Sequence, residues 1–162
     1  MLTEIASYCN LNLGGIALVE YAPLPWINTA EFPDYVNQVG NIDQDITFSS
    51  GDWLRCPFLT KSLNWNEPFE PSANGGFYNA QLGGTTPHLR PEVNMQLDRM
   101  KNYSYILRLK DRNGKYWIIG NPFYPLRFEH TLASGNSDGL SAYTLRWQGA
   151  QKKASAGFLL PA

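Results

Sequence analysis

The side chains able to carry chemistry are few and scattered. The 162-residue chain holds two histidines, His88 and His130, two cysteines, Cys9 and Cys56, and fourteen Asp and Glu. Structural zinc sites bring their ligands in close pairs, and neither histidine has such a neighbour, so no metal is expected. Asn41-Ile42-Asp43-Gln44-Asp45 has the first half of a calcium loop without its glycine and terminal glutamate, and reads as solvated turn carboxylates. Glu67, Glu70, Asp52 and Asp138 could meet in space for acid–base work, but no local spacing singles out a pair. There is no G-x-S-x-G elbow, Walker lysine or dinucleotide fingerprint. The pairs Gly14-Gly15, Gly75-Gly76 and Gly83-Gly84 lack the following helix that makes a phosphate cradle, and read as turns. This inventory predicts neither a cofactor nor an enzyme.

Binding chemistry has two further candidates. Lys110, Arg112 and Lys115 crowd one hairpin tip, and Arg146, Lys152 and Lys153 mark the C-terminal region. A nucleic-acid surface would interleave such cations with exposed aromatics, and a solvated tip is the simpler reading. Trp26, Trp53 and Trp65 could be platforms for sugar rings, which makes a carbohydrate-binding β-sandwich the alternative function. Trp is highly buried on average, so core positions are expected for them.

The elements that position these residues follow from composition and pattern. Charged residues are 17% of the chain and aromatics 14%, the former below a typical share of about 25%. Aromatics favour pleated, half-buried surfaces, so a mainly β domain is expected. The length suits a single domain over residues 1–162. A net charge of −1 gives no field to gather polyanions and permits self-association. No run approaches the roughly 20 apolar residues of a membrane helix, and Met1 to Asn10 has no signal-peptide pattern, so an intracellular protein without membrane partners is expected. Both cysteines are expected reduced and buried.

Along the chain, Ile16 to Tyr21 alternates as a strand that Pro23 and Pro25 end. Trp26 to Gln44 reads as an irregular connection with room for one short strand. Ile46 to Phe48 has β character, Trp53 to Trp65 reads as a strand with Pro57 marking a bulge or an edge, and Phe77 to Leu82 as another. Pro91 to Lys101 is the one helix: Pro91 suits its first position, and Val93, Leu97 and Met100 share a face. Leu126 to His130 and Tyr143 to Trp147 are the last strands, joined by a long loop from Ala133 to Leu140. The apolar end, Phe158-Leu159-Leu160, is expected to fray in an isolated monomer.

Tyr103 to Lys110 and Lys115 to Ile119 form the clearest hairpin. A two-residue Asn113-Gly114 loop would pair Leu109 with Ile118, Lys110 with Trp117 and Asp111 with Tyr116. Leu107, Leu109, Tyr116 and Ile118 would then face the core. Ile106, Arg108, Trp117 and Ile119 would form a second face too apolar for bare solvent, to be covered by the helix or another subunit.

The order Cys9, Gly14-Gly15, Trp65-Asn66-Glu67, Gly76-Phe77-Tyr78, the helix from Pro91, Asn113-Gly114, Ile119-Gly120, Asp138-Gly139 and Tyr143 resembles the tail-tube-like structural proteins of tailed bacteriophages and prophages. The Pro-rich stretch Pro23 to Pro33 and Pro122 after Gly120 depart from that pattern. They leave tail tube, tube terminator and neck ring all open. The resemblance implies a mainly β fold, a β-sandwich or small β-barrel with one flanking helix, in a virion protein made in the bacterial host cytoplasm that forms rings with copies of itself, commonly hexamers. Its other partners would be neighbouring tail or neck proteins, with DNA only as passing cargo. The contact between copies is then expected at Ile106, Arg108, Trp117, Ile119, Ser134, Asn136, Asp138, Phe158 and Leu159, and Trp117→Asp is expected to impair assembly more than monomer folding.

Overall fold

A positive φ of 106° at Gly15 turns the chain into its first strand, where Leu18, Glu20 and Ala22 alternate with Val19 and Tyr21. The computed structural model describes residues 14–33, 40–59, 61–87, 89–134 and 141–159. The strands are β1 (Ile16–Pro23), β2 (Asn41–Ile42), β3 (Leu54–Arg55), β4 (Asn64–Asn66), β5 (Phe69–Glu70) and β6 (Phe77–Pro87). After helix α1 (Pro91–Met100) come β7 (Ser104–Asp111), β8 (Tyr116–Ile119), β9 (Leu126–Ala133), β10 (Ala142–Gln151) and β11 (Ala156–Phe158). The fold is mainly β with one α-helix among the described residues, as expected. Two short 3-10 turns, Leu24–Trp26 and Thr29–Glu31, occupy the Pro-rich connection.

The strands join in the order β2-β11-β8-β7-β9-β10-β6-β4, with β1 also on β7 and β3 on β1. Between β3 and β4, Cys56 N donates to Val19 O of β1 (3.0 Å) and Leu59 N to Thr85 O of β6 (2.8 Å). This stitch links the two ends of the strand path β1-β7-β9-β10-β6 and curls the sheet into a barrel-like form. Inside lie Val19, Tyr21, Leu82, Tyr105, Leu107, Leu109, Ile119, Leu126, Phe128, Tyr143, Leu145 and Trp147. Helix α1 adds Leu97 and Met100 to this core. Tyr143 Oη donates to Arg90 O (3.1 Å) and Tyr105 Oη to Met100 O (2.9 Å), pinning the helix at both ends.

The hairpin differs from its sequence-based register by one residue. Leu107 pairs with Ile119, Arg108 with Ile118, Leu109 with Trp117 and Lys110 with Tyr116. The cause is Asp111: its Oδ1 accepts from Asn113 N (2.8 Å) and Lys115 N (2.9 Å), and its carbonyl accepts from Gly114 N (3.1 Å). With Gly114 at φ 84°, this is a three-residue loop, a turn closed by a left-handed glycine, rather than a two-residue one. A one-residue slip moves every side chain of the strand to the other face. Ile119 and Trp117 therefore join the main core, and Tyr116 and Ile118 join Ile106 on the second face.

That second face is covered by the chain itself, not by the helix or another subunit. Ala22, Ile27, Ile42, Ile46, Ile106, Ile118, Ala156 and Phe158 form a second buried cluster, flanked by Phe32, Phe48, Trp53 and Tyr116. The end of the described chain does not fray: β11 lies between β8 and a parallel β2, and Phe158 is buried. The stretch expected as one strand from Trp53 to Trp65 is instead β3, an irregular crossing and β4, because Pro57 cannot donate and the crossing serves two strands. Ile46 to Phe48 makes only a bridge, Phe48 to Ile27. Gly83 and Gly84 are not a turn; they lie inside β6. A Cβ on Gly84 would stand 2.6 Å from the Phe58 ring, so the missing side chain is the seat of that ring.

Candidate functional site

The residues expected at a contact between copies do not form one surface. Ile106 and Phe158 are in the second core, and Ile119 is in the first. Trp117 is half-buried, its ring tilted 55° against that of Trp65 of β4 with centroids 5.5 Å apart, and its Nε1 donates to Asp111 Oδ2 (3.2 Å). Ser134 and Leu159 are exposed. Asn136 and Asp138 lie outside the described residues, as do Cys9, His88 and most of the loop after Ser134.

Arg108 is an internal strut. Its Nε donates to Glu20 Oε2 at 2.6 Å, with Glu20 only 6% exposed. The guanidinium lies over the Trp53 ring at 4.8 Å and the Tyr116 ring at 5.8 Å. Beside the second core an ion pair, its carboxylate buried and its guanidinium partly exposed, is thus flanked by aromatics, and Arg55 approaches the other Glu20 oxygen at 3.7 Å from the surface.

The remaining candidates for chemistry are engaged elsewhere. Glu67 accepts from Ser155 N (3.0 and 3.2 Å) and Ser155 Oγ (2.9 Å), clipping the β4–β5 connection to the β10–β11 connection. Burial raises its carboxyl above the ordinary range, partly offset by those bonds. Glu70 accepts from Asn79 Nδ2 (2.9 Å), and Asp52 from Trp53 N (2.7 Å). Burial pushes the free Cys56 thiol up to about 12, and Cys56 is half-buried against the main core. His130 stacks on Phe128, its Nδ1 buried without a hydrogen bond among the described residues. Burial, then Lys101, hold its imidazole below the usual value, with Asp98 opposing. No three His, Cys, Asp or Glu among the described residues are placed to hold a metal ion. Trp26, Trp53 and Trp65 are all half-buried.

Two surface features lie at opposite ends of β8. At its start, Tyr116 and Trp117 line a cleft of about 600 Å³ with Phe158, Leu159, Asn41 and Lys115. Beyond its end, the turn Asn121–Tyr124 carries Phe123, 81% exposed. Sequence reasoning singled out Pro122 only as a departure and missed Phe123; Asn121 ahead of Pro122 was the available signal for a rigid turn. Lys152 and Lys153, expected as C-terminal cations, line a second cleft beside this turn.

No family model matches this chain, nor does any curated protein or solved structure. No helix among the described residues is long and apolar enough to cross a membrane.

Proposed function

We propose that this chain is a virion structural subunit of the tail-tube-like kind, assembling with copies of itself into rings of a tail tube, its terminator or the head–tail neck, with DNA as passing cargo. The observation that carries the self-association is the β9 edge. Only Leu126 and Arg127 of β9 pair with β7, whereas Arg127 to Ala133 pair with β10. From Phe128 onward the other edge of β9 has no strand partner among the described residues, and Thr131, Leu132 and Ala133 at its end are exposed. An open edge with unpaired backbone groups is a template for pairing with another chain. A mainly β barrel with one helix, and a fold without a converging catalytic group among the described residues, are compatible with this reading.

Light scattering across a concentration series, with negative-stain imaging of the same samples, tests it. Rings or tubes are expected. A strictly monomeric species at high concentration, with no rings or tubes, would overturn the reading. Portal, capsid or tape-measure genes beside the coding sequence would support the virion assignment.

A further inference from the structure

The link between β10 and β11 is built as a hinge. Before it, Gln151 pairs with Tyr78 of β6, and its Nε2 donates to Tyr124 O (2.8 Å). After it, Ser155 is held by Glu67 through both its backbone N and its Oγ. Between these anchors Lys152, Lys153 and Ala154 are exposed and make no hydrogen bond or ion pair among the described residues. Exposed backbone with few contacts is where a fold opens at low cost.

The strand beyond the hinge fits its place closely. β11 pairs with β8 and β2 and not with β10, and Ala156 and Phe158 complete the second core. On the β2 side Gly157 N donates to Gly40 O (3.1 Å) and Leu159 N to Ile42 O (3.0 Å). Side chains alternate along a strand, so Gly157 points away from the face of Ala156 and Phe158. A Cβ at Gly157 would overlap Asn41 Oδ1. The slot between β2 and β8 therefore selects an apolar strand whose middle residue has no side chain, and Ala156-Gly157-Phe158 is that strand.

Resting on the self-association reading, we propose that β11 of one copy swings out on this hinge and fills the β2–β8 slot of the next. The partner is a second copy of this chain, since the fit of slot to strand is already present within one copy. Exchange keeps the pairings Ala156 with Ile118, Gly157 with Trp117 and Phe158 with Tyr116. Its balance is thus set by the hinge and by concentration, which makes swapping a low-cost route to association. Each copy gives one strand and receives one, and handing the strand onward closes into rings or propagates.

The test uses variants of the full chain. Gly157→Val carries a strand that the Asn41 side chain refuses, and Asn41→Ala carries a slot with room for it. Alone, Gly157→Val is expected to unfold at a lower temperature than the wild type, because its second core is left without β11. Incubated with Asn41→Ala, it is expected to form a species containing both chains by native mass spectrometry and to regain thermal stability. Deleting Lys152 and Lys153 shortens the link by about 7 Å, two residues at about 3.3–3.6 Å each, and blocks closure within one copy. With the closed form removed, the deletion variant is expected to associate about tenfold or more tightly than the wild type by light scattering. No mixed species, or a deletion variant no more associated than the wild type, would overturn the exchange, and wild-type rings seen beside that result would leave self-association standing. A wild type that stays monomeric at high concentration would overturn both.

Discussion

Replacing Arg108 by methionine separates an internal strut from a contact residue. The substitution leaves the Glu20 carboxylate buried, with only Arg55, itself 77% exposed at its side chain, at 3.7 Å. Removing one partner of a buried ion pair costs about 3–5 kcal/mol because the other charge stays desolvated. Arg55 and the methionine packing hold the loss near the lower limit, while the lost stacking on Trp53 and Tyr116 adds roughly 0.5–2 kcal/mol. We expect a net loss of about 3–4 kcal/mol. With a urea slope of roughly 2 kcal/mol per M, the unfolding midpoint should fall by about 1.5–2 M. Converting both partners, Glu20→Met with Arg108→Met, should recover most of it, since well-packed apolar residues often replace a buried pair at little cost. A loss under about 1 kcal/mol for Arg108→Met, together with altered assembly, would refute the reasoning and return Arg108 to a contact between copies.

Trp117→Asp should now weaken the monomer itself by about 2 kcal/mol or more, because it removes the ring contact with Trp65 and sets a carboxylate beside Asp111; urea unfolding at low concentration measures this, and an unchanged midpoint would restore the sequence-based expectation. His130, whose folded-state pKa is lowered, should contribute stability above about pH 6.5 that is lost as pH falls through its folded value. His130→Phe should flatten that part of a melting-temperature profile between about pH 5 and 7.5. In a Cys9→Ser background, Cys56 should resist thiol labelling at pH 8, where a pKa of about 12 leaves about one thiolate in ten thousand; labelling as fast as in denaturant would contradict its burial.

Local pattern carried the helix and the long strands. Pro91 opening a Val93, Leu97, Met100 stripe is a complete helix signal, and β9 and β10 extend the alternations seen from Leu126 and Tyr143. The hairpin faces were not legible, because Asn-Gly is compatible with two loop lengths and the choice rested on the Asp111 carboxylate. Gly83-Gly84 was misread for a similar reason: a glycine pair in sequence is silent about the Phe58 ring that needs its space. Of the expected contact residues among those described, Ser134 and Leu159 are exposed, Arg108 and Trp117 are half-buried, and Ile106, Ile119 and Phe158 are buried. Phe123 was passed over because a single exposed aromatic leaves no periodic signal.

The sequence by itself determined the class: abundant aromatics, alternating apolar runs and glycine or proline punctuation commit the chain to β structure with one helix, since these preferences act within a few residues. Only the tertiary structure decided which face meets what. Covering the Ile106 face with β2, β11 and the Pro-rich connection depends on pairings between residues more than a hundred apart, such as Ile42 with Phe158. Those pairings are fixed by the burial of whole strand faces rather than by local preference, and they take the Ile106 face of the hairpin out of the surface.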